Sequence, residues 1–293
     1  MKKKVSIAEV ITSRIIEKLE AGCIPWHKPW TPLAGAGAPR NLLSGKPYRG
    51  INILILASQQ YSCPFWLTYK QAQDKGGSVR KGEAGTPVVF WNWIEVADSE
   101  TGDEKKIPFM RYYTVFNLEQ TEGIEAPPSP AVTEIPFNSI QAAEDIIAAM
   151  PKRPEIRHSG SRAFYKPACD FVNMPPRKTF HQEEGYYCTL FHEIGHATGH
   201  SSRLGRKGVT ECAAFASHEY SKEELVAEMA AAFLCAETGI EQATIDNSAA
   251  YIQSWLEELK NDKSMVILAA GQAQRAVDFI LNRASAGEME MAI

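Results

Sequence analysis

Apolar residues recur along this chain with two periods. Over 87–96 and 107–116, β-branched and aromatic residues run in two stretches separated by Asp98-Ser99-Glu100-Thr101-Gly102-Asp103, which predicts a β-hairpin. At helical spacing, the pattern predicts helices over 5–21, 51–59, 68–75, 139–150, about 185–197, 221–237 and 248–282. A long Pro/Gly loop is expected over 24–48, and short strand-like pieces at 163–165 and 170–174 lead toward the helix near 190. The stretch 119–130 is rich in Pro and acid and has no hydrophobic period, so a linker is placed at 121–135 between domains at 1–120 and 136–293. The fold class expected is α+β: an N-terminal α+β domain, then a mainly helical C-terminal domain with a small sheet.

His192-Glu193-Ile194-Gly195-His196 falls on one of these helices. Positions four apart share a face, so His192 and His196 can reach one metal ion through neutral ring nitrogens, and Glu193 is the candidate catalytic base. Tyr187, Leu190, Phe191 and Ile194 give that helix its apolar face, and Gly199 is expected to end it as a left-handed cap. Two ordinary histidines on a buried helix are the plainer alternative.

A catalytic zinc site needs a third protein ligand. In HExxHxxGxxH that ligand is a histidine, but Ser202 stands at its position. The expected third ligand is therefore Glu224, in a helix over 221–237 closed by Gly239, with Glu228 one turn later holding a ligand histidine from behind. Ser221-x-x-Glu224 also fits a capping box. If Glu224 is used there, Glu228 becomes the ligand. Zinc is the expected ion, with manganese or another divalent metal left open.

Composition narrows the class. The chain of 293 residues is 44% hydrophobic and 23% charged, with no apolar run of membrane length. Met1-Lys2-Lys3-Lys4 leads into an amphipathic helix rather than a signal peptide, so a cytoplasmic location with no membrane partner is expected. The six cysteines show no CxxC pairing and are read as mostly buried thiols. The net charge of −4 hides an asymmetry: residues 1–90 carry thirteen basic against five acidic side chains. Five of the six tryptophans lie in the first 93 residues, and cations that follow phosphates among aromatics that stack on bases suit a single nucleic-acid strand. The plainer reading is that the aromatics are core. The candidates for DNA contact are Trp26, Trp30, Asn41, Tyr48, Arg49, Asn52, Lys70, Arg80 and Lys81.

Several of these motifs carry a family resemblance. Pro25-Trp26-His27-Lys28-Pro29-Trp30, Pro39-Arg40-Asn41, Tyr48-Arg49-Gly50-Ile51-Asn52, Trp66-Leu67-Thr68-Tyr69-Lys70-Gln71-Ala72 and Gly77-Ser78-Val79-Arg80-Lys81-Gly82-Glu83 resemble the N-terminal domain of ArdC-type plasmid antirestriction proteins. The run from His192 to His200 and Glu223-Glu224-Leu225-Val226-Ala227-Glu228 resembles the zincin-like metallopeptidase domain fused to it. The resemblance implies a single-stranded-DNA-binding domain joined to a metallopeptidase-like domain, in a protein that shields incoming conjugative DNA from restriction. The expected enzyme is a zinc peptidase acting on a DNA-bound protein such as a restriction-system subunit, with a nearby Tyr or His, His200 or His218 among them, at the oxyanion. A non-catalytic DNA-binding protector with a structural metal site is the alternative. A nuclease is disfavoured, because nucleases gather several carboxylates around harder ions.

Overall fold

The computed structural model describes residues 6–21, 24, 38–59, 61–97, 104–127, 139–211, 217–240 and 248–283. The chain divides into two compact units, Met1–Ile11 with Leu33–Val132 and Ala286–Ile293, and Thr12–Pro32 with Thr133–Ser285. Mixed helix and sheet in both units give the α+β class. The first helix, α1 (Ile7–Glu20), places Ile15, Ile16 and Leu19 in the core. From Thr12 onward it belongs to the second unit, where Thr12 Oγ1 donates to Lys263 O (2.5 Å) and Glu20 pairs with Lys260 (2.7 Å).

The first unit is built from β1 (Arg40–Asn41), α2 (Ile51–Ala57), β2 (Phe65–Thr68), α3 (Tyr69–Asp74), β3 (Ser78–Val79), β4 (Thr86–Ala97), β5 (Glu104–Asn117) and β6 (Thr121–Glu122). The hairpin read from the sequence is β4–β5, paired from Thr86↔Val115 to Ala97↔Glu104. It extends into a four-stranded sheet of order β1-β2-β5-β4, with β3 and β6 forming a separate pair. The two-residue strands are too short to leave a periodic signal. Successive residues of β2 face opposite sides of the sheet. Trp66 packs with Leu56, Val88 and Val115, whereas Leu67 packs with Ala72 and Leu118. Thr68 caps α3 reciprocally with Gln71, which fixes that helix at the end of β2.

The second unit continues with α4 (Ser139–Ala149), β7 (Glu155–His158), β8 (Phe164–Lys166), β9 (Phe171–Met174), α5 (Glu183–Ala197), α6 (Lys207–Thr210), α7 (His218–Thr238), α8 (Ser248–Asn261) and α9 (Met265–Ile280). The pattern over 248–282 resolves into two helices, because Asp262 turns the chain by accepting from Ser264 N and Oγ. In the small sheet β9 is central, parallel to β7 and antiparallel to β8, so β8 is an edge strand beside α5. The run Glu223–Cys235 of α7 is buried at every position, as befits a helix surrounded by α4, α5, α6, α8 and α9. Three carboxylates lie in this run: Glu223, Glu224 and Glu228. Charges in such a place must find partners.

Candidate metal centre

Helix α5 carries His192, Glu193 and His196, and α7 packs directly against it. The closeness depends on Gly195, where a Cβ would stand 3.3 Å from Ala227 Cα and 3.5 Å from Ala230 Cβ. A larger residue would hold the acidic helix away. The start of α5 is anchored separately: Tyr187 OH donates to Glu144 of α4 (2.6 Å), and the Arg177 guanidinium lies 4.7 Å over the Tyr186 ring.

The two imidazole Nε2 atoms lie 3.1 Å apart. Glu224 faces both, with Oε2 3.5 Å from His192 Nε2 and Oε1 3.6 Å from His196 Nε2. The three side chains each offer a ligand atom within 4.8 Å of the others, the one such His/Cys/Asp/Glu group among the described residues. A tetrahedral ion bonded at about 2.0–2.1 Å holds its donors about 3.3–3.4 Å apart, so this triangle fits one. Charge leads to the same conclusion. Four buried carboxylates, Glu193, Glu223, Glu224 and Glu228, lie on these two helices with two histidines, and one buried guanidinium, Arg206, pairs with Glu223. A divalent cation suits that deficit.

The opposite edges of the rings are also occupied. His196 Nδ1 lies 3.3 Å from Glu223 Oε1 and His192 Nδ1 3.3 Å from Glu228 Oε1. The second contact has ion-pair distance without hydrogen-bond angles, which leaves His192 Nδ1 as the one buried side-chain N/O atom of the described residues with no hydrogen bond. The Glu223 carboxylate favours the His196 ring proton on Nδ1 and turns that ring's Nε2 lone pair to the centre, while Glu228 stands at ion-pair distance behind His192. Without a cation, protons take its place. Burial pushes both histidines down, but Glu224 and Glu228 lift His192 well above its ordinary pKa, and Glu223 and Glu224 raise His196 to about 9. Burial works against the Glu224 carboxylate, yet the two histidines hold it far below the usual range.

Two expectations about these helices change. The capping-box alternative for Glu224 falls away, because α7 begins at His218 with Ser217 as its cap, accepting from Tyr220 N (3.2 Å). Ser221 lies one turn inside and Glu224 is left facing the histidines. Gly239 closes the helix in the left-handed conformation as expected. Gly199 does not. It lacks a positive φ, and Thr198 ends α5 in helical conformation. What Gly199 supplies is room, since a Cβ there would stand 2.5 Å from Val209 Cγ2 and 3.0 Å from Arg206 Nη2.

His200 Nδ1 is bonded to Ser202 Oγ (2.8 Å) and His218 Nδ1 to Glu258 (2.5 Å). Cys188 and Cys235 are buried with their sulfurs 3.4 Å apart, but Cys63 is half-buried and Cys169 exposed. Glu223 and Arg206 went unread. Both are visible only as charges in sequence, and the one clue was a third carboxylate within an otherwise apolar helix.

In the first unit, Trp26 and Trp30 lie outside the described residues. Asn41 is buried, accepting from Leu43 N and Ser44 N and donating to Gln71, while Tyr48 packs on the Trp66 cluster. Asn52 exchanges two 2.7 Å hydrogen bonds with the backbone of Val89, covering the edge of β4. These three side chains serve the fold. Arg49 is half-buried. Arg80 bonds Glu119 O and Glu83, and Lys70 and Lys81 are exposed. Two aromatics outside the expected set are exposed, Tyr69 at 52% and Tyr112 at 56%. Tyr69 meets Phe116 edge-on at 6.4 Å, and Phe116 shares a strand face with Tyr112.

An HExxH helix facing an acidic helix beside a small mixed sheet defines the second unit as a zincin-like domain, here following an N-terminal α+β unit. Residues 141–272 match the family model of zincin-like metallopeptidases, and residues 5–116 match that of the N-terminal domain of the anti-restriction factor ArdC. The chain belongs to the ArdC antirestriction family. It is 40% identical to the antirestriction protein ArdC of plasmid R388 in its metal-free crystal structure, covering 94% of this chain and 97% of that one at a TM-score of 0.75. Against the Mn(II)-bound structure the identity is 37% and the TM-score 0.74, over 96% and 99% of the two chains. A Sinorhizobium fredii protein, y4eC, is 38% identical over 94% of this chain and 91% of its own length. DNA primase TraC of Escherichia coli is 39% identical over 93% of this chain, but the chain spans only 27% of that primase's length. No helix among the described residues is long and apolar enough to cross a membrane.

Proposed function

We propose that this chain protects incoming plasmid DNA from restriction by binding it single-stranded through the first unit and by cleaving a DNA-bound protein with a zinc peptidase domain in the second, inside the cytoplasm. The two units replace the bounds 1–120 and 136–293 read from sequence, because residues 12–32 belong to the second unit and Thr121–Glu122 pairs with β3 in the first. The observation that carries the peptidase reading is the convergence of His192, His196 and Glu224 on one centre beside Glu193. When bound, a divalent cation supplies Lewis-acid polarisation of a scissile carbonyl and makes water more acidic. Glu193 takes the proton from the attacking water and delivers it to the leaving amine. Glu223 holds the His196 imidazole in the ligating tautomer, and Glu228 stands at ion-pair distance behind His192. The edge strand β8, beside α5, offers an extended peptide a place to pair. Zinc suits two imidazoles and one carboxylate, and the R388 relative, solved with Mn(II), keeps manganese in view.

For the DNA-binding role, the exposed Tyr69 and Tyr112 offer stacking faces, and Lys70 and Lys81 offer charge to phosphates. Asn41, Tyr48 and Asn52 drop out, being committed to the fold. The competing reading, a protector that only occludes DNA, draws on the primary role of a DNA-binding domain in such a reading and needs no active peptidase. Transfer of unmodified DNA into a restricting recipient separates the two. The peptidase reading predicts loss of protection in Glu193→Ala; retention favours occlusion.

A further inference from the structure

We propose that Arg206 is a positioning residue of the metal centre, acting through Glu223 on His196; this rests on the reading of His192, His196 and Glu224 as ligands. Arg206 Nε donates to Glu223 Oε2 (2.9 Å) and Nη2 to Glu223 Oε1 (2.5 Å). The same guanidinium donates through Nη1 to Thr198 Oγ1 (2.6 Å) and through Nη2 to Gly195 O (2.8 Å). Arg206 and Glu223 are 8% and 7% exposed, so these bonds are made away from water. Glu223 Oε1 is also the atom facing His196 Nδ1 at 3.3 Å.

One planar cation therefore joins the end of α5, through the Gly195 carbonyl and the Thr198 hydroxyl, to the residue immediately before Glu224 on α7. It fixes the Glu223 carboxylate by both oxygens, and that carboxylate fixes the ring of His196. The surroundings are shaped to it, since a Cβ at Gly199 would stand 3.0 Å from Nη2. A lysine cannot reproduce the arrangement, because its ammonium is a point donor that cannot fork both carboxylate oxygens while also reaching Thr198 and Gly195. Without the clamp, His196 loses the fixed acceptor that orients it.

The test is metal affinity of the full chain for Zn(II) and Mn(II), read by competition with a chromophoric chelator, with the thermal midpoint of the metal-free protein as a check of folding. Arg206→Gln is expected to weaken metal binding about ten- to hundredfold, the loss typical of groups that hold a ligand from behind. Arg206→Lys, the variant to rely on if Arg206→Gln does not fold, is expected to recover part of that loss while staying clearly below wild type. In a Glu223→Gln background, Arg206→Gln should cost less than about threefold further, because residues acting through one contact are not additive. Affinities within about twofold of wild type for both Arg206 variants, or single losses that multiply in the double variant, overturn the clamp. A wild type that takes up neither ion overturns the ligand reading itself, and the clamp with it.

Discussion

His192 and His196 bring their Nε2 atoms to 3.1 Å from each other across one helical turn, and Glu224 on the facing helix spans both with its two oxygens. Two imidazoles at that distance share either a single proton or a cation that both bind. The two Glu224 oxygens facing both nitrogens give a cation a third donor, which a shared proton does not need.

The order of the acidic residues is thereby testable. Glu224→Gln is expected to lose bound metal, whereas Glu228→Gln keeps the ion with an affinity about ten- to hundredfold lower, because Glu228 acts through His192 Nδ1. Metal content after gel filtration reads both. Full occupancy in Glu224→Gln would reverse the assignment.

The metal's contribution to stability depends on pH in a defined direction. Burial lowers the His196 pKa, but Glu223 and Glu224 raise it to about 9 in the metal-free protein. The stability that this gives the metal-free fold is complete below the ordinary value of about 6.5 and is lost as pH rises through about 9. Metal requires the deprotonated ring. The gap in melting temperature between loaded and stripped protein should therefore widen between pH 6.5 and 9, and calorimetry in two buffers should show proton release on binding. A gap that narrows over that range contradicts the proton-for-metal exchange.

Gly199 separates two uses of glycine. If it served as a left-handed cap, Asn would be tolerated there. Because it makes room beside Val209 and Arg206, Gly199→Ala is expected to cost about 1–3 kcal/mol by overpacking and Gly199→Asn more. Urea denaturation decides, and an Asn variant more stable than the Ala variant refutes the crowding account.

On the first unit, Tyr69→Ala and Tyr112→Ala should each weaken single-strand binding by about 1–3 kcal/mol, while Lys70→Ala lowers the salt dependence by about one counterion. Asn52→Ala should instead lower the melting temperature, since it removes two hydrogen bonds to Val89. Fluorescence anisotropy at two salt concentrations, with melting curves, distinguishes the effects. Unchanged binding in all three surface variants removes this surface from the account.

What could be read from sequence follows the range of each interaction. The His192/His196 spacing lies within one turn, and the hairpin has its turn and both strands in one stretch, so local pattern was enough. Asn41 and Asn52 find their partners at Gln71 and Val89, thirty and thirty-seven residues away, and a polar residue beside an apolar helix looks the same whether it faces ligand or a strand edge. Arg206 belongs to a short segment with no period, and its partners lie on α7, at Glu223, and at the end of α5, at Gly195 and Thr198. The start of α7 lies one turn earlier than read because Ser217 and Ser221 are both good caps, and the helix uses Ser217.

The most direct test of the central claim is cleavage of a purified restriction-system subunit, presented with single-stranded DNA, by wild type and Glu193→Ala at equal metal content. The account predicts cleavage by the wild type and a loss of about 10²–10⁴-fold in the variant, the usual worth of a general base. Equal cleavage by both, or none by a metal-loaded wild type, contradicts it.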